Sequence, residues 1–246
     1  MENNIKRIGM WSGPRNISTA LMRSFENRSD TTVIDEPFYA YFLNETGIKH
    51  PIYKEVIQSY DTSWNNISNT LIGPIPDNKK IWYQKLMTHH WVNNESLDWL
   101  ENIHNCFLIR NPKQVIISYL KIYDDINPEL IGLPQQLHIF NSIIQKTNKI
   151  PIVISSEDIL ENPKLMLSRL CDLLDIPFSN QMLKWPKGTR KSDGIWGKYW
   201  YKNVVETTSF NKPLNQNEKI PDRFLNLLEE CMSYYKQMEK YKINNE

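Results

Sequence analysis

The chain has 246 residues, 40% of them apolar and 23% charged, with a formal net charge of +1. That length fills one hydrophobic core and is short for two, so one domain over residues 1–246 is expected. The balanced charge gives no global field for nucleic acid or an anionic membrane, so a polyanionic ligand must be held by a local cluster.

Cys106, Cys171 and Cys231 are the three cysteines. The odd number, with no CxxC spacing, argues against a disulfide framework and a zinc site and for a reducing cytoplasm. Residues 1–5 are polar, without an apolar signal segment, and no run approaches the roughly 20 apolar residues of a membrane span. A cytoplasmic protein without a membrane partner is expected.

In chain order, five short apolar runs predict buried strands at residues 8–11, 32–35, 81–84, 106–109 and 152–154. The segments between them carry helical spacing. Ser18 or Thr19 can cap a helix over residues 20–25, and Asn111 with Pro112 opens a helix holding Val115, Ile116 and Tyr119. Alternating strands and helices imply an α/β fold, a mostly parallel sheet flanked by helices. Residues 44–80, polar and with three prolines, read as helices and loops over a site. Residues 124–134 read as a loop. Residues 187–213 lack a period but are rich in Gly, Lys, Trp and Tyr, which marks a functional segment. Residues 221–241 close the chain as an amphipathic helix.

The first strand runs through Gly13, Pro14, Arg15, Asn16 and Ile17 into Ser18 and Thr19 at a helix start. A strand–loop–helix unit offers an anion unpaired backbone N–H groups and the positive end of a helix dipole. Ser18 and Thr19 add hydroxyl donors, and Arg15 adds a fixed charge on a planar fork of donors. No Gly-Lys pair precedes Ser18, so the Walker pattern is absent. Without a ligand, the same residues read as a tight turn and a cap. The fourth strand ends in Arg110. Ser118 follows eight residues later, about two turns into a helix.

These two segments, spanning residues 8 to about 119, resemble the nucleotide-binding motifs of sulfotransferases that use 3′-phosphoadenylyl sulfate (PAPS). The resemblance implies a P-loop-like sulfotransferase fold, PAPS as donor substrate, a small-molecule acceptor bearing a hydroxyl or amine, and no metal. It assigns Gly13, Arg15, Asn16, Ile17, Ser18 and Thr19 to the donor's 5′-phosphosulfate, and Arg110 and Ser118 to its 3′-phosphate. The family usually has Gly where this chain has Ile17, so a differently shaped loop is expected there. Residues 188–200 are similar to the family's late closing loop. Arg190 or Lys191 would then reach the 3′-phosphate, and Trp196 or Trp200 would stack on adenine. The wider tail pattern resembles a mostly bacterial branch, some of whose relatives carry an aminotransferase-like label. No lysine here sits in a Schiff-base context.

Sulfuryl transfer is an in-line displacement that needs positive charge at the leaving oxygen and a base for the acceptor's proton. Arg15 is the electrophilic candidate. Glu36, after the second strand, resembles the base of certain bacterial sulfotransferases. Lys85 to His89 is similar, with extra residues, to the Lys-Thr-His segment of cytosolic enzymes, whose His is the base. Glu36 and His89 are both expected to line the site, with Glu36 preferred as base. His90 is expected to turn elsewhere, and His50, His104 and His138 to be surface or loop residues. Two other readings remain open on the sequence: a small-molecule kinase on a P-loop fold, and a non-catalytic nucleotide-binding module.

Overall fold

Each of the five apolar runs forms a strand in the computed structural model, which describes residues 5–123, 125–211 and 218–244. The strands are β1 (Lys6–Ser12), β2 (Thr31–Asp35), β3 (Ile81–Met87), β4 (His104–Ile109) and β5 (Ile152–Ser155). They pair in the order β2-β3-β1-β4-β5, every pair parallel. Such a sheet buries both faces, so its strands read as nearly unbroken apolar runs.

The helices are α1 (Ser18–Glu26), α2 (Tyr39–Thr46), α3 (Tyr53–Ser59), α4 (Trp64–Ile72), α5 (Pro112–Tyr119), α6 (Pro128–Ile131), α7 (Leu133–Thr147), α8 (Ser156–Glu161), α9 (Pro163–Leu173), α10 (Gly197–Trp200) and α11 (Leu225–Glu239). The period of two splits the sheet's side chains between two cores. Trp11, Trp82, Leu86, Phe107 and Val153 pack with residues of α4, α7 and α11. Ile8, Met10, Tyr83, Leu108 and Ile154 pack on the other face with residues of α1 and α9. A separate cluster joins Tyr39, Phe42 and Val56 to Trp196 and Tyr201, and so seats the late segment against α2 and α3.

Two local expectations are corrected. Residues 124–134 are mostly helical, because Asn127 caps α6 by accepting from the Leu130 N–H and Pro128 sits in the first turn; Asp124 lies outside the described residues. The N-cap of α1 is Ile17, without a side-chain cap bond, which places Ser18 and Thr19 inside the first turn. Asn111 does cap α5, accepting from the Lys113 N–H. Residues 187–211 are loop apart from α10 and the short 3-10 turn Val204–Glu206; residues 212–213 of the predicted segment lie outside the described residues. Among the described residues, no helix is long and apolar enough to cross a membrane.

β1 lies at the centre, with β3 on one side and β4 on the other. The chain passes from β3 across β1 to β4, and the carboxyl ends of these strands open onto one crevice. Ligands of open α/β sheets bind in such a place.

Candidate active site

The segments after β1, β2, β3 and β4 meet at that edge around a cavity of about 370 Å³. Its lining includes Arg15, Asn16, Ile17, Ser18, Thr19, Glu36, His89, Arg110, Ser118 and Trp200, all expected from the sequence.

One wall carries the two guanidiniums. Arg15 donates from Nε to the Ser118 hydroxyl at 3.0 Å, and Arg110 donates from Nη1 to the Arg15 carbonyl at 2.6 Å. Among the described residues, neither forms an ion pair with a carboxylate. Burial lowers the pKa of Arg15, and burial together with the charge of Arg15 lowers that of Arg110, against the pull of Glu157. Both remain cations at neutral pH, since an arginine starts above about 12. The wall is therefore half-buried, positive and short of counter-charge.

The loop's shape is set elsewhere than at Ile17. Ile17 has φ −87°, which any residue adopts, and its side chain packs against the core. The left-handed residue is Arg15, with φ +55°. Asn16 ties the loop to β4 and α8. Its Nδ2 donates to the Leu108 carbonyl at 3.0 Å, while its Oδ1 accepts from the Ile17 N–H and the Ser156 hydroxyl. Gly13 is required by packing, because a Cβ there would meet the Ile131 carbonyl oxygen at 2.5 Å.

A buried ionic cluster also borders the cavity. Asp35 and Lys85 are register partners across β2 and β3. Lys85 Nζ donates to Asp35 Oδ1 at 3.0 Å, Glu36 Oε1 at 2.7 Å and the Tyr201 hydroxyl at 2.7 Å. All three of its N–H donors are thereby used. Two carboxylates share one ammonium in a site removed from water. Burial, opposed by Lys85 and reinforced by Asp35, raises the pKa of Glu36. Glu36 is thus shifted toward binding a proton. Its backbone sits at φ +44°, a conformation that costs on the order of 1–3 kcal/mol and persists only where neighbours enforce it. The Lys85 carbonyl helps by accepting from the Glu36 N–H at 3.1 Å.

The imidazoles lie beside this cluster. His89 lines the cavity, and burial pushes its pKa down to about 3. His90 also lines the cavity, contrary to the expectation that it would turn away. It stacks between Tyr39 and Phe42, with Nε2 3.9 Å from Glu36. His50 is a loop residue, as expected, and it also lines the cavity: its Nδ1 lies 2.8 Å from the Tyr39 hydroxyl, and Trp200 Nε1 donates to that hydroxyl at 3.2 Å. His138 stacks on Trp91 outside the cavity.

The late segment supplies Trp200 and Tyr201 to the lining, but not Arg190, Lys191 or Trp196. Arg190 turns toward α1, with Nε 3.6 Å from Glu26, while Lys191 is exposed. Trp196 is 1% exposed and packs in the cluster under α2 and α3, leaving no free face for a base. Sequence reasoning missed Tyr39 and Tyr201. Tyr39 opens α2 three residues after Glu36, and Tyr201 closes the tail's Trp-x-x-x-Trp-Tyr pattern; the docking of the late segment brings Tyr201 to Glu36.

Comparison with known proteins assigns the chain to a family. The chain matches the sulfotransferase domain over residues 6–242. Two Arabidopsis thaliana proteins, branched-chain-amino-acid aminotransferase-like proteins 1 and 2, are 34% and 32% identical over 228 residues. Each match covers 93% of this chain and 40% of the relative, so the chain spans less than half the length of these curated relatives. The sulfotransferase domain of the Synechococcus PCC 7002 olefin synthase has a similar fold, with a TM-score of 0.62 at 15% identity, covering 99% of this chain and 98% of that one. The chain belongs to the sulfotransferase family.

Proposed function

We propose that the chain moves a sulfuryl group from PAPS to a hydroxyl or amine of a small acceptor. Arg15 and Arg110 hold the anionic donor, and Glu36 takes the acceptor's proton. One observation carries this reading. Two half-buried arginines, joined by a 2.6 Å hydrogen bond to the Arg15 carbonyl and without an ion-pair partner among the described residues, share a cavity with a proton-seeking carboxylate. Burying like charges together costs stability, and a ligand with several negative charges offsets that cost.

The donor fits these residues. Arg15, Ser18, Thr19 and the first N–H groups of α1 suit the 5′-phosphosulfate, Arg110 suits the 3′-phosphate, and Trp200 suits the base. The acceptor oxygen or nitrogen attacks sulfur, and the bond from sulfur to the bridging oxygen breaks. The electron pair leaves with the nucleotide phosphate beside Arg15, and the acceptor's proton passes to Glu36. The charge of Arg15 is worth most where it meets charge that develops in the transition state. His89 is a weaker proton acceptor than Glu36, because its pKa of about 3 leaves little driving force for protonation at neutral pH. Its neutral ring is suited to contact with the acceptor.

Calorimetric titration with adenosine 3′,5′-bisphosphate tests the donor assignment. The wild type is expected to bind it, and Arg15→Ala and Arg110→Ala each to lose about tenfold or more, the worth of a charge-assisted contact. Equal affinity in wild type and both variants would contradict the assignment.

A further inference from the structure

Glu36 is also held by the last residue of the tail's Trp-x-x-x-Trp-Tyr pattern. The Tyr201 hydroxyl lies 2.8 and 2.7 Å from the two oxygens of Asp35 and 3.3 Å from Glu36 Oε1, and it accepts from Lys85 Nζ at 2.7 Å and Trp196 Nε1 at 3.3 Å. Its ring also lies under the Lys85 ammonium, 4.7 Å from Nζ to the centroid. A second late-segment group reaches the same carboxylate, for the Gly194 N–H donates to Asp35 Oδ2 at 3.1 Å. Asp35 therefore takes two of its donors from the late segment and one from Lys85.

These contacts divide the one ammonium between two carboxylates. With Tyr201 and Gly194 on Asp35, Lys85 lies nearer to Glu36, at 2.7 Å, than to Asp35, at 3.0 Å. Without them Asp35 has no partner but Lys85 among the described residues, and the ammonium is drawn to it. The late segment is itself latched at a distance. Arg23, 1% exposed in α1, pairs with Asp193 at 2.6 Å, and the Ser192 hydroxyl donates to Glu26 at 2.5 Å. The latch residues do not line the cavity.

We propose that Tyr201 is a positioning residue for Glu36, acting through Asp35 and Lys85, so that seating of residues 192–201 sets Glu36 for proton transfer. This rests on the reading of Glu36 as base. The groups facing Glu36 are Asp35 from β2, Lys85 from β3, His90 from the turn after β3, Tyr39 from α2, Tyr119 from α5 and Tyr201 from the late segment. Both His90 and Tyr39 are neutral at neutral pH, the first because burial depresses its pKa and the second because burial raises it. Beyond burial, the balance at Glu36 is therefore governed by Lys85, Asp35 and Tyr201.

The test is a pH titration of the Glu36 carboxyl carbon by NMR in ¹³C-glutamate-labelled full chain, its signal assigned by its loss in Glu36→Gln. Tyr201→Phe keeps the ring and removes the hydroxyl. Its Glu36 midpoint is expected to move up by about one pH unit, as befits loss of stabilisation of the charged form. Asp193→Asn, which loosens the latch without touching the cluster, is expected to move it the same way and serves if Tyr201→Phe does not fold. A midpoint unmoved in every variant that folds would overturn the proposal. Bisphosphate affinity, read on the same samples, is expected to change less than about twofold in either variant. Loss of donor binding in the wild type would instead strike the sulfotransferase reading and leave the titration to judge the network alone.

Discussion

Arg110 donates a 2.6 Å hydrogen bond to the backbone carbonyl of Arg15, the residue that carries the left-handed turn of the first loop. The two cations are thus joined by the backbone that one of them shapes. Arg110 pins the strained peptide that aims Arg15, while Arg15 turns its Nε to Ser118 on α5. The motifs after β1 and β4 form one device, and a change in either is expected to reach the other.

Replacing Glu36 separates binding from transfer. Glu36→Gln keeps the shape of the side chain and removes the proton acceptor. Adenosine 3′,5′-bisphosphate affinity should stay within about twofold. Sulfuryl transfer to any working acceptor should fall about 100-fold or more, the usual worth of a general base. His89→Asn should cost less than Glu36→Gln. The reverse order in a steady-state assay would move the base to His89.

The buried imidazoles set an acid limit. His89 has a depressed pKa near 3, and His90 lies well below its ordinary value. In the unfolded chain both bind protons below about pH 6.5. The unfolded state then holds more protons than the folded one, and stability falls as pH drops from about 6.5 toward 3. Each imidazole contributes at most about 1.4 kcal/mol per pH unit to that slope. The raised pKa of Glu36 acts in the opposite sense, favouring the folded state below the unfolded carboxyl value and losing that contribution as pH rises. With two imidazoles against one carboxyl, the net slope should be toward lower stability in acid. His90→Phe preserves a ring between Tyr39 and Phe42 and should flatten the slope, as read from denaturation midpoints between pH 4.5 and 6.5.

Gly13 tests the loop's packing. In Gly13→Ala the new methyl meets the Ile131 carbonyl oxygen at 2.5 Å, a backbone atom that cannot swing aside. Overpacking of this kind costs roughly 1–3 kcal/mol. Thermal melting should show a lower Tm, and the displaced loop should bind the bisphosphate less tightly. An unchanged Tm would mean that α6 yields more readily than its contacts suggest.

The sheet was readable because each strand is a run of β-branched and aromatic residues bounded by polar ones, as in the residues of β2 and β4. The Arg110 to Ser118 spacing was readable because a strand end and two helical turns place both residues at one edge regardless of the rest. The acceptor side was not. Tyr201 and His50 come from segments without a period, and they join the cavity wall through the aromatic packing of Tyr39, Phe42 and Trp196. Local sequence does not encode such long-range docking. Arg190 misled for a related reason: a Gly- and Lys-rich loop suggests phosphate contact, but Glu26 on α1 offers that arginine a carboxylate. Ile17 keeps a negative φ, in line with the expectation that an Ile there disfavours the left-handed region, and the left-handed residue of the loop is Arg15.

The central claim is that two clamps hold opposite ends of one nucleotide. Calorimetry of adenosine 3′,5′-bisphosphate against adenosine 5′-monophosphate tests it most directly. The wild type and Arg15→Ala should prefer the bisphosphate by about tenfold or more, the worth of one charge-assisted phosphate contact, and Arg110→Ala should lose that preference. A wild type that binds the two nucleotides equally, or an Arg110→Ala variant that still discriminates between them, would contradict the account.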